Sequence, residues 1–253
     1  VVVGVAHLAT SVPYSSHGEE VVAAPTYLLV HGAWHGSWCW ERFAGVLDQR
    51  GVAWKAIDLP SSANADPAVD MMADVREVHR VATDLGPLVI VAHSYAGAVV
   101  TEAAPQIADL RGILYLAALI PRLGQSASDV TREYGLRSPL DEAIRRDDGM
   151  LRLELEPAAL ALYGDCDEET RGWAITKISS QTLASFRTAR TSENSAVASA
   201  YVICQRDEAL LPEVQERIAQ CCDEVVAIDS DHSPFLSHPH ELADLVASMN
   251  FHG

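Results

Sequence analysis

Basic residues are scarce in this 253-residue chain. Lys and Arg number 18 against 35 Asp and Glu, a formal net charge of −17. A surface so acidic repels nucleic acid and anionic membranes, which disfavours both as partners. The five cysteines (Cys39, Cys166, Cys204, Cys221 and Cys222) include no C-x-x-C pair and are odd in number. They indicate neither a zinc site nor a disulfide framework, and reduced thiols in a cytoplasmic protein are the default. No apolar run approaches the length of a membrane span. The opening VVVGVAHLATSV is apolar but has neither a basic flank nor an initiator Met, so secretion stays open. Internal repeats and low-complexity tracts are also missing.

What remains is ordinary for a soluble globular protein: 49% hydrophobic and 21% charged, enough for one large core or two small ones. Residues 1–25 have no clear period and read as an N-terminal extension. Four short apolar, β-branched runs then appear or recur after helical stretches: Thr26–Val30, Val52–Asp58, Leu88–Ala92 and Gly112–Ile120. The helices between them are Glu41–Arg50, Pro67–Leu85 and Tyr95–Asp109, the last cut short or kinked by Pro105. This rhythm predicts a mostly parallel, doubly wound α/β sheet with right-handed crossovers. It breaks over residues 122–199, where no buried strand is evident and helical pieces such as Asp141–Arg146 and Glu168–Ser179 predict a helical lid inserted between late strands. Strands resume at Ala200–Cys204 and Glu224–Ile228, separated by a helix at Pro212–Gln220, and a helix at Glu241–Met249 follows. The core is therefore expected from 26–121 and 200–253.

The chemistry centres on PLVIVAHSYAGAVVT, residues 87–101. A serine at an abrupt strand-to-helix turn is held in a strained conformation that projects its Oγ from the sheet. Its neighbours two before and two after must be small; here they are Ala92 and Ala96 rather than the glycines of G-x-S-x-G. Ser94 is thus the candidate nucleophile. A serine needs a base, and the base an orienting acid. His232, just after the last strand, is singled out by position among ten histidines. Asp207, after strand 200–204, is the candidate acid, with Glu208 its serious rival and Asp229 and Asp231 too near His232 along the chain. His31, His35 and His93 suit structural hydrogen bonding. An oxyanion needs two preorganised donors, expected from the amides of Tyr95 and Ala33. Trp34, Tyr95, Trp173 and Phe186 are candidates for lining the pocket, although each also suits a core.

The stretches YLLVHGAWHGSWCW, AHSYAG and DHSPFLSHPHEL resemble the α/β-hydrolase family of plant salicylate methylesterases, hydroxynitrile lyases and their bacterial esterase relatives. The likeness spans roughly residues 26–250, and LYGDCDEETRGWA (162–174) resembles the lid of bacterial members. It implies an α/β-hydrolase fold, a triad of Ser94, Asp207 and His232, and oxyanion donors Ala33 and Tyr95. The lyases have threonine where this chain has Gly32 and lysine where it has Ser233, and cyanohydrin cleavage uses both. The expectation is therefore a serine esterase or lactonase acting on a small, mostly apolar substrate. Its alternatives are a lyase or cyclase on the same triad and a small-molecule receptor. The mechanism requires no metal or organic cofactor, and a homodimer is left open.

Overall fold

The computed structural model describes residues 24–63, 66–134, 137–249 and 251. Most of the expected N-terminal extension, residues 1–23, lies outside that range. Strands β1 (Thr26–Val30), β2 (Trp54–Ile57), β3 (Leu88–His93) and β4 (Leu110–Leu116) alternate with helices α1 (Glu41–Gln49), α2 (Met71–Thr83) and α3 (Ala96–Ala103). The α2 helix starts four residues later than its periodicity suggested. Asp70 caps it there by accepting from the amides of Met72 and Ala73. The α3 helix ends at Ala103, and Pro105 lies in a tight turn over Ala104–Gln106. A proline amide has no hydrogen to continue the ladder.

Between β4 and the next core strand the chain forms α4 (Ala127–Tyr134), α5 (Pro139–Ala143), β5 (Ile144–Asp147), β6 (Met150–Leu153), α6 (Leu155–Tyr163), α7 (Glu168–Lys177), β7 (Gln181–Thr182) and α8 (Leu183–Arg187). The insertion is thus not helical throughout. It carries a three-stranded antiparallel sheet in the order β5-β6-β7. The β5–β6 hairpin turns at Asp148-Gly149, both at positive φ (44° and 77°), the geometry a two-residue hairpin turn requires. Arg145, Arg146 and Arg152 point to solvent, so the hairpin lacks the apolar run that marks a buried strand.

The core closes with β8 (Ser199–Cys204), α9 (Pro212–Ile218), β9 (Glu224–Ile228), α10 (Pro234–Ser237) and α11 (Pro239–Ser248). All six core strands run parallel in the order β2-β1-β3-β4-β8-β9. Strand β3 is buried along its whole length, which explains its unbroken apolar run. The α2 helix packs against α3, and α1 against α11. The chain steps from β1 outward to β2 and then crosses to β3 on the other side of β1. The order therefore reverses between β1 and β3, and the crevice beyond their C-terminal ends is where parallel sheets of this kind place ligands. Val30 pairs in register with Ala92, so the two strands end within one residue of each other at that crevice.

Candidate active site

Ser94 is the first residue beyond β3 and has φ of +53°. An L-residue held in this left-handed region costs about 1–2 kcal/mol, so its surroundings must enforce it. They do so on both sides of the residue. The Ser94 amide donates to Leu116 O at 3.0 Å, and its carbonyl accepts from Gly97 N at 3.1 Å and Leu119 N at 3.0 Å. Ala92 and Ala96 are fully buried. The closest approach involves a residue that small-neighbour reasoning overlooked: a Cβ on Gly97 would strike the Leu119 carbonyl oxygen and sit 2.9 Å from Ala118 Cβ. Its sequence signal is a glycine in the first turn of the helix that follows the serine.

Strands β8 and β9 bring the next two groups to the same end of the sheet. His232 Nδ1 lies 2.6 Å from Asp207 Oδ2, with both residues 2% exposed. The carboxylate is held in turn by the amides of Ala209 (2.7 Å) and Leu210 (2.8 Å) and by Gln215 Nε2 (2.9 Å). With three other N–H donors on the carboxylate, the imidazole completes the set by presenting its Nδ1 proton to Oδ2. Glu208 is exposed, and Asp229 pairs with Arg206 at 2.6 Å. Asp231 is buried but accepts from Asp165 N, Ser233 N and Ser237 Oγ. Ser94 Oγ makes no hydrogen bond to His232 here; contacts of this kind commonly tighten only with substrate in place.

Three buried histidines shape the crevice. His93 Nε2 donates to the His232 carbonyl at 3.0 Å, tying the end of β3 to the loop after β9. His31 Nε2 accepts from Leu59 N at 2.9 Å, so its proton is on Nδ1, which donates to Gly32 O at 2.8 Å. His35 Nε2 accepts from the Tyr163 hydroxyl at 2.7 Å, and its Nδ1 donates to Ala33 O at 2.8 Å. Burial pushes the pKa of His31 down to about 4 and of His35 down to about 3, so both stay neutral. A trans peptide is planar. Holding the Gly32 carbonyl therefore turns the Ala33 N–H to the opposite side. Neither that amide nor the amide of Tyr95 donates to another backbone group among the described residues. The two segments touch, because a Cβ on Gly32 would lie 2.8 Å from Ser94 Cβ and 2.8 Å from His93 Nδ1.

The aromatic candidates divide. Phe186 of α8 stacks on Tyr95 (5.0 Å between ring centres, 19° between planes) and tilts against Trp34 at 6.0 Å. Trp173 does not join them; it packs edge-on to Trp38 at 5.3 Å. The Tyr95 hydroxyl donates to buried Asp74 at 2.8 Å, a carboxyl that sequence reading passed over as part of a helix. Burial raises the Asp74 pKa to about 6. No group of three or more His, Cys, Asp or Glu among the described residues is arranged to hold a metal ion. No described helix is long and apolar enough to cross a membrane.

Comparison with known proteins bears on this geometry. The sequence profile of the alpha/beta hydrolase family matches residues 27–245. The "Probable hydrolase R7" of Phoma sp. is 26% identical over 242 residues, spanning 89% of this chain and 98% of that protein. "Methylesterase 7" of Arabidopsis thaliana is 25% identical over 251 residues, spanning 88% and 95%. Among solved structures, a pyrethroid hydrolase from Sphingobium faniae JZ-2 superposes with a TM-score of 0.78 at 24% identity, covering 89% of this chain and 96% of the other.

Proposed function

The chain belongs to the alpha/beta hydrolase family, and from that membership we propose a serine hydrolase that cleaves a small, mostly apolar carboxylic ester or lactone through an acyl-enzyme on Ser94. Its relatives include named hydrolases and esterases, and ester hydrolysis is the general activity they support. The observation that carries the finer reading is the buried 2.6 Å His232–Asp207 pair, joined through the His232 carbonyl to His93, the residue before a serine held at positive φ.

His232 Nε2 takes the Ser94 hydroxyl proton as Oγ attacks the carbonyl carbon. Asp207 keeps the ring oriented and stabilises the imidazolium that forms. The tetrahedral oxygen sits between the amides of Ala33 and Tyr95, donors that are already fixed before charge develops. Collapse expels the alkoxide, which takes the proton from His232. Water, deprotonated by the same imidazole, then releases the acid. Trp34 and Phe186 offer the acyl group an apolar wall, which favours substrates without charge near the carbonyl.

The lyase alternative is disfavoured by Gly32. With His93 and Ser94 each 2.8 Å from where its Cβ would stand, the position has no room for a hydroxyl-bearing side chain. The test is labelling of the purified protein with a fluorophosphonate, followed by peptide mapping, beside Ser94→Ala. Adduct on Ser94 in the wild type, and none in the variant, is expected, with turnover of p-nitrophenyl esters or lactones. A folded wild type that neither labels nor turns over refutes the mechanism.

A further inference from the structure

The insertion reaches the oxyanion segment through Trp34, the residue after Ala33. Trp34 is left-handed at φ +64°. All three of its polar atoms are held by the insertion. Its amide donates to Gln181 Oε1 at 3.4 Å, its carbonyl accepts from Ser179 N at 2.9 Å, and its indole Nε1 donates to Leu151 O at 3.1 Å. Gln181 then reaches the other half of the site. Its Nε2 donates to Ser61 Oγ at 2.7 Å, Ser61 Oγ donates to Asp74 Oδ2 at 2.6 Å, and the same oxygen accepts from the Tyr95 hydroxyl at 2.8 Å. Ser61, Asp74, Tyr95 and Gln181 are fully buried.

One hydrogen-bonded chain thus runs from the residue beside the first oxyanion donor to the residue that supplies the second. We propose that Gln181 is a positioning residue for catalysis: it sets the spacing of the Ala33 and Tyr95 amides by bridging Trp34 to the Ser61–Asp74–Tyr95 relay. The proposal rests on the serine-hydrolase reading above. Nothing in the relay touches substrate. Its effect is confined to the transition state, because the oxyanion, not the ground-state carbonyl, depends on both donors being at the right distance. Buried networks of this kind hold geometry only while every member is satisfied. Removing the central amide leaves Ser61 Oγ without its donor and the Trp34 amide without its acceptor, which loosens the link between the two halves of the site. An alternative is that Gln181 merely docks the insertion on the core, as Thr182 does through its hydroxyl to Val69 O at 2.7 Å.

The two roles separate kinetically. Gln181→Met keeps the side-chain length and deletes its hydrogen bonds, while Thr182→Val deletes the docking bond to Val69 O together with the α8 cap on Ser185 N and leaves the Gln181–Ser61–Asp74–Tyr95 relay intact. With p-nitrophenyl acetate, Gln181→Met is expected to lower kcat by about 30- to 100-fold with KM within about 3-fold, and to weaken inhibition by phenylboronic acid by a similar factor. Thr182→Val should leave kcat and boronate affinity within about 3-fold. Tyr95→Phe, which retains the amide and cuts the last link of the relay, should lose about 10-fold in kcat and serves if Gln181→Met does not fold. Equal losses in Gln181→Met and Thr182→Val would mean docking alone and overturn the proposal. So would an unchanged kcat in Gln181→Met, or in Tyr95→Phe where that variant stands in. Absence of both turnover and fluorophosphonate adduct in the wild type would instead overturn the hydrolase reading and this proposal with it.

Discussion

Gly32→Ala adds one methyl group where the loop after β1 meets the Ser94 turn, and the structure states what it meets. The new Cβ would stand 2.8 Å from Ser94 Cβ, 2.8 Å from His93 Nδ1 and 3.2 Å from His93 Cε1. Carbon atoms in contact rest at about 3.5–4.0 Å, so the shortfall is roughly 0.7–1.2 Å. Ser94 cannot yield, since its amide and carbonyl are both bound to β4 and the residues after it. His93 is pinned through Nε2 to the His232 carbonyl. The displacement therefore falls on residues 32–33 and moves the Ala33 amide by close to 1 Å. A misplacement of that size costs about 100-fold in rate, and overpacking costs about 1–3 kcal/mol in stability. Steady-state kinetics on p-nitrophenyl acetate should show kcat down about 100-fold and KM little changed, with the thermal midpoint lowered. A Gly32→Ala enzyme within about 3-fold of wild-type kcat would refute the reasoning, because the crevice would then have slack that the structure denies.

Three further outcomes follow from groups already described. Asp207→Ala strands His232 Nδ1 and the three other donors around the carboxylate; kcat should fall by about 10³–10⁴, with about 1–3 kcal/mol lost in urea unfolding. Because His31 and His35 have folded pKa values of about 4 and about 3, below the ordinary 6.5, the unfolded chain binds more protons as pH falls. Stability should be full above about pH 6.5 and drop towards pH 4 by on the order of 3 kcal/mol for His31 alone, measurable as a falling urea midpoint. Asp74 has the opposite sign, its folded pKa being raised from 3.8 to about 6. The wild type loses stability relative to Asp74→Asn as pH rises from about 4 to about 6, by about 3 kcal/mol in all, and the difference levels off above that window. A flat difference between the two proteins across that range would show that Asp74 ionises as freely as in water.

The buried strands were legible because burial on both faces writes itself as an unbroken apolar run, as in LVIVA of β3. The positions of Ser94 just after β3 and of His232 in the loop after β9 were legible because each follows an apolar strand run, and a parallel sheet gathers such positions at one crevice. The β5–β6 hairpin was not, since three arginines on its strands hide it among charged helical pieces, although Asp148-Gly149 was the available signal. The Gln181 relay could not be read at all. Gln181 and Ser61 are 120 positions apart, and only tertiary packing brings them together. Trp173 matched an apolar-wall residue by type alone, and its partner is Trp38 rather than Phe186.

The order of the strands also has a consequence for synthesis. The Ser94 turn is clamped between β3 and the residues just after β4, all of which precede residue 120. The carboxylate and the imidazole arrive only with β8 and β9, after the whole insertion has been made. A growing chain can therefore bend the serine into place long before Asp207 and His232 exist to meet it, and domains commonly fold as they emerge. Ser94 is thus in place on the ribosome before β8 and β9, which carry Asp207 and His232 to the crevice, have been made.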